Sequence, residues 1–175
     1  MAAFDAALVA NLPGLRRYAI ALVGNVALAE DLVHDCIERA LRRADALQDR
    51  EKMAAWLRSI LHNLHLDGLR RRDFGAHVDY ADMADDLALS VAPEDGMLAA
   101  DLMRAMATLS VDHRRILLLV GLEGLSYREI ADELETQVGT VMSRLARARE
   151  RLRAAMEGEQ SSVVVPMARA RGSER

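Results

Sequence analysis

Cysteine is nearly absent from this 175-residue chain: Cys36 stands alone, so no internal disulfide can form. It lies between Val33 and Ile37 on an apolar helical face, which reads as core and not as a reactive thiol. Long apolar runs are also missing. The longest uncharged stretch, 18–29, is broken by Gly24-Asn25 and falls short of the roughly 20 apolar residues of a membrane span. No basic stretch precedes an apolar one at the start, so no signal peptide is expected, and the chain reads as a cytoplasmic protein without membrane insertion. Positive charge is absent from one region altogether: residues 73–100 carry no Lys or Arg and 7 Asp or Glu.

That local deficit explains the formal net charge of −4, because residues 1–72 carry 11 basic against 9 acidic side chains and residues 101–157 carry 9 of each. An acidic total is therefore no argument against a nucleic-acid partner. The acidic stretch also holds Gly75, Pro93 and Gly96 and shows no sustained periodicity, so it reads as a linker between two helical domains.

The C-terminal part holds the most informative pattern. Ser126 followed three residues later by Glu129 is a capping-box start, after which Ile130 and Leu134 continue a short helix. Glu135-Thr136-Gln137 makes a turn. From Val138 the apolar positions Val141, Leu145, Ala148 and Leu152 recur at three- and four-residue steps. At about 100° per residue, Thr140, Ser143, Arg144, Arg147 and Arg151 fall together beside that stripe. A helix seated by one face and showing hydroxyls and guanidiniums on another suits the major groove of DNA, so the pair reads as a helix-turn-helix. The competing reading is an arginine-rich solvated helix of an ordinary bundle, with Glu150 and Glu157 pairing along it.

The N-terminal part is helical throughout. A first piece over 4–11 is expected to stop or kink at Pro13-Gly14 and resume over 15–23. After Gly24-Asn25, Leu28, Leu32, Val33, Cys36, Ile37, Ala40 and Leu41 trace one face of a second helix whose other face carries Glu30, Asp31, Asp35, Glu38 and Arg42. A polar loop over 45–52 leads to a third helix from about Met53 to Arg72, with Leu57, Ile60, Leu61 and Leu64 inward. It ends in Arg70-Arg71-Arg72, which complement a helix C-terminus and would equally suit a phosphate backbone.

These residues resemble a known family. Ala29-Glu30-Asp31-Leu32-Val33-His34-Asp35, then Trp56-Leu57-Arg58-Ser59-Ile60 with Asn63, Asp67 and Arg70-Arg71-Arg72, look like region 2 of extracytoplasmic-function sigma factors. Leu109 with His113-Arg114, the run from Leu122 to Ala131 and the run from Val138 to Arg149 look like region 4. The resemblance spans 12–156, and Leu12-Pro13-Gly14-Leu15-Arg16-Arg17-Tyr18-Ala19 is similar to the general-stress members of α-proteobacteria. It implies an all-α fold of two small domains: region 2 over 1–72, an acidic flexible linker over 73–97, region 4 over 98–157 and a disordered tail over 158–175.

The resemblance further implies a non-enzymatic protein without catalytic residues, cofactor or metal. Its partners would be core RNA polymerase, promoter DNA and an anti-sigma factor, with a role in a stress response. Asp31, Leu32, Val33 and Asp35 would dock on the β′ clamp helices, and Arg58, Asn63, Arg70 and Arg71 would capture the −10 element. Region 4 would read the −35 element with Thr140, Ser143, Arg144, Arg147 and Arg151, and pack on the β flap.

Two departures stand out. Met142 occupies a position where family members commonly carry a basic residue, so −35 preference does not transfer. The 45–52 loop aligns poorly and has few aromatics nearby for stacking bases, and Trp56 reads as core. Other constellations are thin: His62 and His65 at i, i+3 lack a third ligand, and the Gly121–Gly124 segment lacks the strand of a phosphate loop. His113 beside Arg114-Arg115 reads as a helix-start surface group or a phosphate contact. Two alternatives compete with a sigma factor: a stand-alone helix-turn-helix regulator, which would need only the C-terminal block, and a sigma-like mimic that sequesters an anti-sigma factor.

Overall fold

The computed structural model describes residues 2–73 and 93–162, and all its regular structure is helical. Helix α1 (Ala2–Val23) packs against α2 (Val26–Arg42) and α3 (Met53–Asp73), forming an N-terminal bundle. Helices α4 (Pro93–Ala107), α5 (Val111–Gly121), α6 (Tyr127–Glu133) and α7 (Val138–Ser162) form the C-terminal unit. Short 3₁₀ turns at Ala44–Ala46 and Arg50–Lys52 occupy the connection between α2 and α3.

Helix α1 differs from expectation. It runs unbroken through Pro13 because that residue lies on the solvent side: Val9, whose carbonyl loses its i+4 donor, is 62% exposed and can give that oxygen to water. Gly24 then reverses the chain at φ +80°, and the Asn25 side chain caps α2 by accepting from the Leu28 N–H at 2.9 Å. Two further boundaries also move. Residues 93–97, assigned to the linker, form the first turns of α4, with Pro93 at a first helical position that needs no donor. Residues 158–162, assigned to the tail, continue α7. The rest of the proposed linker, 74–92, and tail, 163–175, lie outside the described residues.

The N-terminal core is built from Leu15, Tyr18 and Leu22 of α1, Ala29, Val33, Cys36 and Ala40 of α2, and Met53, Leu57 and Leu61 of α3. The α2 stripe is rotated from the expected one. Its small residues pack inward, whereas Leu28, Leu32 and Ile37 are only half-buried and Leu41 is exposed. In the C-terminal unit Leu109, Ile116, Leu119, Ile130, Val141, Leu145 and Ala148 close a second set of contacts, continuous with the first.

Candidate nucleic-acid interface

The helix-turn-helix forms as its caps dictate. Ser126 Oγ accepts from the Glu129 N–H at 3.3 Å, and the Glu129 carboxylate accepts from the Ser126 N–H at 2.8 Å. The Ser126 hydroxyl and N–H hold the Glu129 carboxyl below its usual range. At its other end α6 closes in a Schellman motif: Thr136 N–H donates to Ala131 O at 2.9 Å and Glu135 N–H to Asp132 O at 3.3 Å. Glu135 takes the left-handed conformation there, at φ 48°, where glycine is the usual occupant.

Helix α7 leaves that turn with Val141, Leu145 and Ala148 buried against α4, α5 and α6. Arg144, Arg147, Arg151 and Ser143 are all exposed, and Thr140 is half-buried. Ser143 Oγ donates to the Thr140 carbonyl at 3.0 Å, leaving the oxygen's lone pairs outward. The five residues expected on a DNA-facing surface thus share one flank. Met142 is 53% exposed on the other flank, together with Val138 one turn earlier.

A groove of about 280 Å³ runs between α2 and α3, lined by Leu28, Asp31, Leu32, Asp35, His65 and Arg71 among others. Asp31 and Asp35 are exposed at its rim and Leu32 is half-buried. Val33, expected beside them as a polymerase contact, points the other way: it is 7% exposed and belongs to the core. Asn63, Arg70 and Arg71 are exposed along α3, with Arg70 3.6 Å from Asp67 and Arg71 Nε donating to the Asp67 carbonyl at 3.2 Å.

Arg58 departs most from expectation. Instead of facing solvent on the −10 surface, it is buried between the two units. Its Nη1 reaches Glu123 at 2.7 Å, its Nη2 reaches Glu133 at 2.5 Å, and Nε donates to Glu133 at 3.2 Å. In this arrangement its guanidinium is unavailable to DNA. Burial opposes its charge, but the Glu133 and Glu123 carboxylates outweigh that and hold it protonated. Arg115 joins the group, 3.9 Å from Glu133 and 3.5 Å from Ser59 Oγ.

Two more links cross the same boundary. Arg114 Nη1 donates to the Leu22 carbonyl at 2.7 Å, supplying from α5 a cation that the last turn of α1 lacks. His62 Nε2 lies 3.5 Å from Asp112, and burial with the neighbouring Arg115 pushes the imidazole down to about 4, partly offset by Asp112. Arg114 and Arg115, the neighbours of His113, are therefore interdomain groups. Glu123, Glu133 and Ser59 had no visible signal: each sits in an ordinary helix or loop context and acquires its role only from the docking of two segments distant in sequence.

Comparison with known proteins agrees with this division. Residues 99–152 match the family model described as Sigma-70, region 4, and residues 8–62 match the Sigma2 domain of PhyR. The chain is 35% identical over 151 residues to the ECF RNA polymerase sigma factor EcfG of Rhodopseudomonas palustris, covering 84% of this chain and 81% of that protein. It is 34% identical over 149 residues to the ECF RNA polymerase sigma factor SigL of Mycobacterium tuberculosis, covering 82% of each. Among solved structures, the sigma factor RpoE of Bartonella quintana, crystallised with the anti-sigma factor NepR, superposes with a TM-score of 0.73 at 30% identity, over 90% of this chain and 98% of that one. With both regions matched in order and the relatives aligned over most of their length, this chain belongs to the extracytoplasmic-function family of RNA polymerase sigma factors.

Proposed function

We propose that this sigma factor binds core RNA polymerase, places α7 in the major groove of a −35 element and uses the exposed part of α3 at the melted −10 element. The observation that carries the reading is the exposed flank of α7, where Arg144, Arg147 and Arg151 project beside Thr140 and Ser143 while Val141, Leu145 and Ala148 seat the helix. Guanidiniums suit both phosphate oxygens and the O6/N7 edge of guanine. Asn63, with Arg70 and Arg71 about two turns further along α3, supplies the second nucleic-acid surface.

Asp31, Leu32 and Asp35 meet the β′ clamp across the groove between α2 and α3, and region 4 packs on the β flap. Val33 supports that surface from beneath without touching the partner. An anti-sigma factor is the natural regulator: the solved relative was crystallised with one, and here acidic rim and half-buried leucines offer a mixed apolar and charged docking surface. We place the protein in a stress response because Leu12-Pro13-Gly14-Leu15-Arg16-Arg17-Tyr18-Ala19 is similar to the general-stress members of the family.

Co-elution with core polymerase, followed by a mobility shift of promoter DNA, tests the reading. The complex of protein and core should shift a promoter fragment that neither shifts specifically alone. A protein that shifts its target without core would be a stand-alone regulator instead.

A further inference from the structure

The charge cluster between the two units has a composition that bears on regulation. Arg58 and Arg115 face Glu123 and Glu133, so two positive and two negative groups balance, and the side chains of Arg58 and Glu133 are only 7% and 3% exposed. Arg58 comes from α3, Glu133 from the last residue of α6, and Glu123 from the turn where Gly124, at φ +66°, redirects the chain toward α6. All three elements belong to parts of the molecule that the proposed function needs for nucleic acid.

Buried ion pairs hold segments together in a particular way. Much of the Coulomb attraction goes to offsetting desolvation, so an intact pair contributes little net stability, whereas an unmatched partner left in place is strongly unfavourable. The packing here is also imperfect: a cavity of about 50 Å³ adjoins Tyr18, Arg58 and Glu123, and the buried Tyr18 hydroxyl has no hydrogen-bond partner in it. Such an interface specifies one closed arrangement without making it hard to leave. A guanidinium released from carboxylates has an obvious alternative ligand, because phosphate offers the same bidentate oxygens.

We propose that Arg58, Arg115, Glu123 and Glu133 form an ionic latch that closes region 4 onto region 2, and that Arg58 is exchanged between this latch and nucleic-acid phosphate when the regions part. The closed chain is a latent state with one of its α3 cations withheld. Opening returns Arg58 to the same helix as Asn63, Arg70 and Arg71. The withheld cation matters because α3 is taken as a nucleic-acid surface, so this part rests on the proposed function; the latch itself does not.

The full chain should be compared with E123Q/E133Q by small-angle X-ray scattering and by binding of a mixed-sequence single-stranded DNA oligonucleotide at fixed salt. The double variant should keep its helicity by circular dichroism while its radius of gyration rises. Its oligonucleotide affinity should rise on the order of tenfold, since the competent fraction of molecules rises. Adding Arg58→Ala to the double variant should abolish the gain. Glu135→Gln, which removes an exposed charge nearby but outside the latch, should neither open the chain nor raise affinity as much. A double variant that stays as compact as the parent overturns the latch. One that opens with a gain that survives Arg58→Ala overturns the exchange. Scattering needs no polymerase, so either result is distinguishable from failure of the sigma-factor reading.

Discussion

Arg58 of α3 and Glu133 of α6, 75 residues apart in the chain, meet as a two-pronged pair: Nε to Oε1 at 3.2 Å and Nη2 to Oε2 at 2.5 Å. Geometry of this kind is specific as well as strong, because the planar guanidinium fork matches a carboxylate only in register. Removing one partner and removing both should therefore differ. Arg58→Ala leaves Glu133 buried beside the distant Arg115 alone and should weaken docking of the two regions by about 3–5 kcal/mol. R58M/E133L replaces the two most buried charges by apolar groups and leaves only the less buried Glu123 and Arg115 behind, so it should weaken docking less. Hydrogen exchange along α6 reports the difference: fast in the single variant, slower in the double one.

The same boundary should respond to pH through His62. Its imidazole is pushed down to about 4 by burial and by Arg115, with Asp112 at 3.5 Å acting in the opposite sense. In an opened chain the group would titrate near its ordinary 6.5. The closed form favours neutral His62, so its contribution is fully present above about pH 6.5. It is lost as pH falls toward 4, where the open form has taken up a proton. The whole effect is at most about 3 kcal/mol. Scattering profiles between pH 7 and 4 should show progressive opening, and His62→Asn should flatten the upper part of that curve. An unchanged curve in the variant would assign the acid response to carboxylates alone.

On α7, Arg144→Ala and Arg147→Ala should each weaken −35 duplex binding in the polymerase complex. The loss should be about 1–3 kcal/mol where the side chain reads a base edge, or accompanied by a flatter salt dependence where it meets phosphate. Core polymerase affinity should be nearly unchanged. Equal promoter affinity for parent and both variants at fixed salt would remove this flank from the DNA interface.

Asp31→Arg and Asp35→Arg should cripple association with core polymerase while leaving the helical content intact, because both side chains are exposed and no buried charge is created. Val33→Ala provides the contrast. It should lower the melting temperature by opening core volume and affect polymerase binding only through stability. Normal co-elution of both arginine variants would count against the groove between α2 and α3 as the polymerase contact.

The two ends of α6 should respond in opposite directions. Ser126→Ala removes one half of the capping box and should destabilise the region by about 1 kcal/mol. Glu135→Gly relieves a left-handed backbone at a position that glycine occupies without steric strain, and should stabilise it by about 0.5–1 kcal/mol. Thermal melting of the two variants measures both signs.

Local chemistry was legible in the sequence wherever it was decided by neighbours in the chain. The Ser126–Glu129 capping box, the turn before Val138, the exposed flank of α7 and the Gly24-Asn25 reversal all follow from side chains within a few residues of one another. Pro13 misled because a helix break depends on whether the freed carbonyl can reach solvent, which the sequence does not display. Val33 misled for a similar reason: the small residues Ala29, Cys36 and Ala40 drew α2 close to its neighbours and turned Val33 inward with them. Arg58 lay furthest from reach. Its partners Glu123 and Glu133 stand 65 and 75 residues away, and an arginine on a nominally polar helix face looks alike whether water, phosphate or a distant carboxylate awaits it.

Transcription from genomic DNA of the protein's own organism, using core polymerase with and without the purified chain, reports whether the protein directs initiation at particular promoters. Transcripts with discrete 5′ ends should appear only with the protein, share sequence elements upstream of those ends, and be lost when Arg144 and Arg147 are both changed to alanine. Transcription that the intact protein leaves no different from core alone, in a preparation whose helicity and binding to core are normal, would contradict it.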